Sequence, residues 1–446
     1  MTHSVSAPAV PVPLAAPAAD APYQRFARLM GIALTFILLV KLSGFFAWNE
    51  DVGVTRALKL VTRLAMTAAA YGAYQLVLRR GAIDSFQWRN TLAPVLYGAY
   101  LVLGLASLLW SRNPGYSFLQ WLMDLESLVF AYYFVKCFLL LKEFFPGNPV
   151  RFYHVLGNAA FLIMLGFLVG ALVAPDVFYR LTHGGEEARL GGYLMNPNEL
   201  GMLCVVGLAC LLFDFERHHR WLLTSLKVAV LLLALVLTGS RSSLVGFVLV
   251  LFFHLRQAGN PRLKLAANGA ALLALPVVAP LLLVKQGGLE EVLSLTGRLP
   301  FWHALLTEAL PREPLLGYGF MRISYGEYFQ SVHTYAAQMA HNTFIQVLLN
   351  LGLIGFSIAV LQLVFTIRSF FRSETDGQLR LLGLGLLLPL LINSFTEFGI
   401  FGMNNYGILF YQFLIFLGSL HYHARLSPGE RLWLRRRRPE LSYAAA

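Results

Sequence analysis

One histidine and three arginines are the residues of this chain best suited to do chemistry together. His341 opens the stretch His341-Asn342-Thr343-Phe344-Ile345-Gln346, which runs straight into an apolar helix. An imidazole there suits a general base that takes the proton of an acceptor hydroxyl. Arg189 lies in Arg189-Leu190-Gly191-Gly192-Tyr193, just before Asn196-Pro197-Asn198-Glu199 at the mouth of a helix. Arg241 follows the tight turn Thr238-Gly239-Ser240, and Arg298 sits close to Trp302 in a long polar excursion. Guanidinium groups match phosphate oxygens two at a time and never lose their charge, so three of them converging would hold a pyrophosphate. The candidate site is therefore His341 as catalytic base, with Arg189, Arg241 and Arg298 on a pyrophosphate or similar polyanion and Asn342, Trp302, Asn198 and Ser240 in support. A cationic cluster beside His341 would keep its imidazole neutral and ready to accept a proton.

Each of these residues has a plainer reading. A histidine at a helix start can cap it or meet lipid headgroups, and an arginine at a helix end can bind lipid phosphate. Arg112, Arg180, Arg312 and Arg322 fit that plainer reading best, and His183, His303 and His333 have nothing comparable around them.

The elements that must position these side chains are membrane helices. Of 446 residues, 57% are hydrophobic and 13% charged, against roughly 25% charged in soluble domains. Apolar runs of spanning length fall at 28–47, 58–78, 91–110, 118–141, 152–173, 197–214, 221–239, 243–256, 265–284, 342–368, 380–396 and 405–422. About twelve helices place both ends on one side. Arg79, Arg80, Arg89, Lys142, Arg151, Arg217, Arg220, Arg256, Arg262, Lys264, Arg368, Arg372, Arg380 and the Arg435–Arg438 run all fall on the side of the termini. By the positive-inside rule that side is cytoplasmic. The four site residues then lie on the external face, where topology mildly opposes them.

The organisation expected is a disordered cytoplasmic tail (1–22), helices one to nine (23–284), an external excursion over the site (285–340), helices ten to twelve (341–424) and a basic cytoplasmic tail (425–446). The fold class is all-α, a polytopic membrane protein whose long loop carries short amphipathic helices. The residues after Trp302 suggest such helices lying along the interface. Asp124 and Glu126, inside helix four, are expected to pair with Lys41 or Arg63.

Several classes are excluded or demoted. No G-x-x-x-x-G-K-[ST] loop is present, no H-E-x-x-H, and no carboxylate pair with metal-site character. Cys137, Cys204 and Cys210 all fall inside apolar runs and imply neither a metal site nor disulfides. The net charge of +12 reflects topology and lipid, not nucleic acid. An anion transporter would need charges deep along several helices.

In its motifs the chain resembles the O-antigen ligases of the Gram-negative inner membrane, within the O-antigen ligase and polymerase superfamily. The resemblance rests on Ser111-Arg112-Asn113-Pro114, Arg189 through Asn198, the Thr238–Arg241 turn, Gly297-Arg298 with Trp302, Pro314 to Gly319, His341-Asn342 leading to Gly352 through Gly355, and Asn393-Ser394 with Glu397. It implies a membrane-embedded glycosyltransferase that moves O-antigen polysaccharide from undecaprenyl pyrophosphate to a sugar hydroxyl of lipid A–core at the periplasmic face. The partners implied are those two lipids and the surrounding membrane lipids, without nucleic acid. The resemblance also implies inversion, no metal and no other cofactor, with His341 as base and Arg241 and Arg298 on the pyrophosphate. An O-antigen polymerase or a protein O-oligosaccharyltransferase would use the same donor.

Overall fold

In the computed structural model the described residues are 21–422, apart from 81, 83, 85, 145–149, 183–186, 216–220, 258–260, 262–264, 266–297, 321–339, 373–376, 398 and 403–404. The protein is an all-α polytopic membrane protein. Helices α1 (Ala21–Ser43), α2 (Val52–Arg79), α3 (Leu92–Ala106), α4 (Pro114–Phe144) and α5 (Phe152–Val173) are followed by the four-residue helix α6 (Pro175–Phe178). Then come α7 (Pro197–Phe215), α8 (Trp221–Thr238) and α9 (Arg241–Gln257), and beyond them the short α10 (Arg298–Ala304). The series closes with α11 (Thr343–Phe370), α12 (Gly377–Thr396) and α13 (Tyr406–Ser419). Eleven of the twelve apolar runs are met by these helices; the ninth, 265–284, lies outside the described residues, as do both tails beyond 21 and 422.

Five of the helices are long and apolar enough to cross a bilayer: α1, α3 with its 3-10 extension to Leu109, α5, α11 and α12. Helices α7, α8 and α13 are apolar but shorter. α2 and α4 are long but charged, and Arg63, Asp124, Glu126 and Lys136 among those charges are buried. Arg63 of α2 donates through Nε to Glu126 of α4 at 3.2 Å, and Lys41 of α1 pairs with the same carboxylate. Asp124 instead accepts from the Tyr97 hydroxyl (2.8 Å) and the Gln412 amide (2.7 Å). The expected pairing with Lys41 and Arg63 thus holds for Glu126; Asp124 has neutral hydrogen-bond partners. A carboxylate two positions away is turned to a different neighbour, because residues 124 and 126 lie on different faces of α4.

Helix α13 runs through the centre, with all fourteen of its residues buried. It is mostly apolar, as an enclosed helix must be, and two of its polar side chains are partnered inward: Tyr411 donates to Gln362 of α11 at 2.6 Å, and Gln412 to Asp124 of α4 at 2.7 Å. A two-stranded antiparallel ladder, β1 (Phe86–Trp88) with β4 (Leu420–Tyr422), ties its C-terminal end to the α2–α3 connection. A second ladder, β2 (Tyr179–Thr182) with β3 (Glu187–Leu190), lies between α6 and α7 and places Arg189 opposite Arg180.

Helix α11 is broken. Gly352 has φ 62° and ψ −165°, outside the helical region. A Cβ on it would sit 2.2 Å from the Leu315 carbonyl, so only glycine fits. The backbone of 314–319 runs against this break: Tyr318 N–H donates to Leu349 O (2.9 Å), Gly319 N–H to Asn350 O (2.9 Å), and Leu353 N–H to Pro314 O (2.8 Å). The excursion supplies partners for main-chain groups that the broken helix leaves orphaned.

Candidate functional site

Four helices begin at one place. Each starts with a short polar side chain able to satisfy free N–H groups of its first turn. Asn196 accepts from Asn198 N at the head of α7 (2.9 Å), and Ser240 from Ser243 N at the head of α9 (3.4 Å). Asn342 accepts from Phe344 N and Ile345 N at the head of α11 (2.9 and 3.1 Å), and Asn405 from Ile408 N at the head of α13 (3.1 Å). The four ends touch. Ser243 donates to the Asn198 carbonyl (3.3 Å), Gly399 N–H donates to the Thr343 hydroxyl (2.9 Å), and the Gly399 carbonyl lies against Gly407. The positive ends of four helix dipoles therefore face one region, which favours an anion there.

At the centre stands Glu397, the residue after α12, only 3% exposed. Its Oε1 accepts from the Asn198 amide (2.8 Å) and from Arg298 Nη2 (3.1 Å); its Oε2 meets His341 Nδ1 at 2.7 Å. A second nitrogen of Arg298 donates to the Thr396 carbonyl. Burial by itself would raise the Glu397 carboxyl. The hydrogen bond from His341, the charge of that ring when it is protonated, the charge of Arg298 and the Asn198 amide outweigh it and hold the group below the usual glutamate range.

His341 is the only described residue other than glycine with a positive φ, 48°. That conformation is uncommon for side chains with a Cβ and is held by its surroundings. Ala340 just before it is fixed at both main-chain groups: its N–H donates to Gln346 Oε1 (3.2 Å), and its carbonyl accepts from the Trp302 indole (2.6 Å). Just after it, Asn342 is locked as the cap of α11. Trp302 belongs to α10, whose Phe301, together with Leu305 and Ala309 of the following turns, packs on Leu349, Tyr318 and Ala340. The short helices of the excursion thus bury their apolar stripe on α11. Residues 285–297 and 321–339 of the excursion, Arg322 and His333 among them, lie outside the described residues, as does His183.

Arg189 joins the cluster one step removed. Its Nη2 donates to Asn198 Oδ1 (2.6 Å), and its Nε donates to the Thr238 carbonyl at the end of α8 (2.7 Å). Gly239 makes this approach possible: at φ 60°, a Cβ there would come within 3.2 Å of Arg189 Nε. Ser240 is buried and bonds Ser243 (2.7 Å), which in turn reaches Asn198. Arg241 is the first residue of α9, beside these serines, and is half-buried. Arg112, Arg180 and Arg312 are exposed, as is His303, in keeping with their plainer reading.

Two expectations need amending. The nearest charged partner of His341 is a carboxylate and not a cationic cluster, because Glu397 stands between the imidazole and Arg298. Glu397 itself carried no assigned role, although a signal existed: an acidic residue at the C-terminal end of an apolar helix opposes the helix dipole, and an ionisable group at that depth asks for a partner. Among the described residues, no group of three or more His, Cys, Asp or Glu side chains is placed to hold a metal ion.

A protein-family model described as O-antigen ligase matches residues 226–360. This region is similar to the O-antigen ligase family. It amounts to under a third of the chain, and it supports assignment to the O-antigen ligase/polymerase family, whose members are glycosyltransferase-like enzymes. The ligase region runs from within α8 to within α11 and so contains Arg241, Arg298, Trp302, His341 and Asn342. Arg189, Asn198 and Glu397 complete the same cluster from outside it. No curated protein matches the chain.

Proposed function

We propose that this protein transfers O-antigen polysaccharide from undecaprenyl pyrophosphate to a sugar hydroxyl of lipid A–core. The observation that carries this reading is the meeting of Arg298 and His341 on the Glu397 carboxylate, within a ring of four helix N-termini. A carboxylate only accepts, so Nδ1 of His341 carries the proton in that bond and Nε2 carries the lone pair. That is the arrangement of a general base.

The acceptor hydroxyl oxygen attacks the anomeric carbon from the face opposite the pyrophosphate while Nε2 takes its proton. The new C–O bond forms as the bond to the pyrophosphate oxygen breaks. Undecaprenyl pyrophosphate leaves with that electron pair, and the anomeric configuration inverts. Negative charge grows on the leaving group in this step. Arg241 and Arg298, with Arg189 behind them and the helix dipoles around them, stabilise that charge more than the ground state. No metal or other cofactor enters the scheme. The site faces the periplasm, with the chain in the inner membrane and both termini cytoplasmic.

The test is purified protein in liposomes with a polyprenyl-pyrophosphate-linked oligosaccharide. Product should form only when lipid A–core is added, and should be lost in His341→Ala. Lengthening of the donor in the absence of lipid A–core would make the enzyme a polymerase and overturn the acceptor assignment.

A further inference from the structure

We infer that Glu397 is the positioning residue of this site: its carboxylate sets the proton-bearing nitrogen of His341 and holds the imidazole in register with Arg298. The inference rests on the reading of His341 as base and adds to it a residue that lies outside the family match.

Three donors converge on this one side chain. Asn198 Nδ2 and Arg298 Nη2 point at Oε1, and His341 Nδ1 points at Oε2. Only a group that accepts through both oxygens satisfies all three, and among side chains that means an ionised carboxylate. An amide of the same shape fails in either orientation. With its oxygen toward His341, its NH₂ faces the donors of Arg298 and Asn198. With its NH₂ toward His341, Nδ1 must accept, the ring proton moves to Nε2, and the base faces the acceptor with no lone pair. The charge also matters after proton transfer, when the carboxylate stabilises the imidazolium.

The fold does not depend on that side chain. The junction of α12 with α11 uses main-chain groups of 395–399: Gly399 N–H donates to the Thr343 hydroxyl (2.9 Å), and the Thr343 hydroxyl and the Asn342 amide donate to the Glu397 and Phe395 carbonyls (both 3.5 Å). Arg298 keeps the Thr396 carbonyl. Glu397→Gln therefore leaves these connections in place.

The experiment compares full-length wild type, Glu397→Gln, Glu397→Asp and His341→Ala in liposomes, with kcat and KM measured for donor and acceptor. Nitrogen-15 spectra of the histidines accompany them, with His341→Ala identifying the His341 signals. Glu397→Gln is expected to lose kcat by about 10²–10⁴-fold, close to the loss in His341→Ala, with donor KM changed by less than about tenfold. Its His341 spectrum should show the proton moved from Nδ1. Glu397→Asp keeps charge and both acceptor oxygens but is one methylene shorter, and should recover part of kcat. A Glu397→Gln enzyme within about threefold of wild-type kcat, beside an inactive His341→Ala, overturns the positioning role and leaves the base intact. A loss confined to donor KM with an unchanged His341 spectrum also overturns it, making Glu397 a support for Arg298 alone. An active His341→Ala instead overturns the underlying reading.

Discussion

Two buried glutamates in this protein have the same kind of partners and different surroundings. Glu126 accepts from Lys41, Arg63 and Thr67 inside the helix bundle; Lys41 and Arg63 also lie over the rings of Phe130 and Phe45, at 4.7 and 4.5 Å. All three charged side chains there are 5% exposed or less. Glu397 accepts from Arg298, Asn198 and His341, but Arg298 and His341 keep 18% and 17% of their side-chain surface open. The first cluster is closed on itself, with two cations, one carboxylate and aromatic faces, and it pins α1, α2 and α4 together. The second has an opening, a titratable ring in place of a lysine, and four helix N-termini around it. Similar groups staple helices in one place and stay open to an incoming molecule in the other; access is the difference.

The comparison can be broken at either end. His341→Ala should lower transfer by about 10²–10⁴-fold, with membrane-inserted protein unchanged in amount; near-wild-type turnover would remove the distinction. Glu126→Ala should do the opposite, destabilising the protein by about 3–5 kcal/mol through two uncompensated buried cations. The protein that remains folded should keep its specific activity, as read from thermal unfolding in detergent alongside turnover. Arg298→Ala should lower kcat by about 10²–10³-fold, the cost of one group that stabilises developing charge. Asn342→Ala, which removes the cap of α11, should cost about 1 kcal/mol of stability.

The smallest effect expected is on stability in acid. The fold holds Glu397 below the ordinary glutamate value of about 4.3. Its ionised form therefore contributes stability above that value, and the contribution is lost as pH falls through the lower folded value. The wild-type unfolding midpoint should drop more steeply than that of Glu397→Gln in this acid window; parallel curves would show that the carboxylate is not favoured by the fold.

Much of this architecture was legible in the order of residues. Long apolar runs leave a helix little alternative in lipid, so eleven spans were found close to their observed limits. The Asn196-Pro197-Asn198 stretch and the glycine turn at 239 announced helix starts, whereas the cap of α11 fell to Asn342 and not to His341. His341 and Arg298 stood out because a polar excursion in an apolar chain is conspicuous. What could not be read was the link between them. Glu397 lies 56 residues beyond His341 and 99 beyond Arg298, and its neighbours along the chain are the end of an ordinary apolar helix. Only the packing of α12 beside α11 brings it under the imidazole. The surroundings of His341 were misjudged for the same reason: arginines could be counted in the sequence, but the carboxylate placed among them could not.

The interruption of α11 at Gly352 decides what moves together. A continuous helix of 28 residues would reach about 42 Å, well beyond a hydrocarbon core of about 30 Å. Cutting it separates an inner span from an outer stub of nine residues that bears His341 at its tip. Main-chain bonds from 314–319 reach both sides of the cut, Leu349 and Asn350 on the stub and Leu353 and Ile354 on the inner span, and the Trp302 indole clasps the residue before the histidine. His341 and the described part of the excursion thus share one joint: a shift at Gly352 would carry the imidazole and the backbone beside it together.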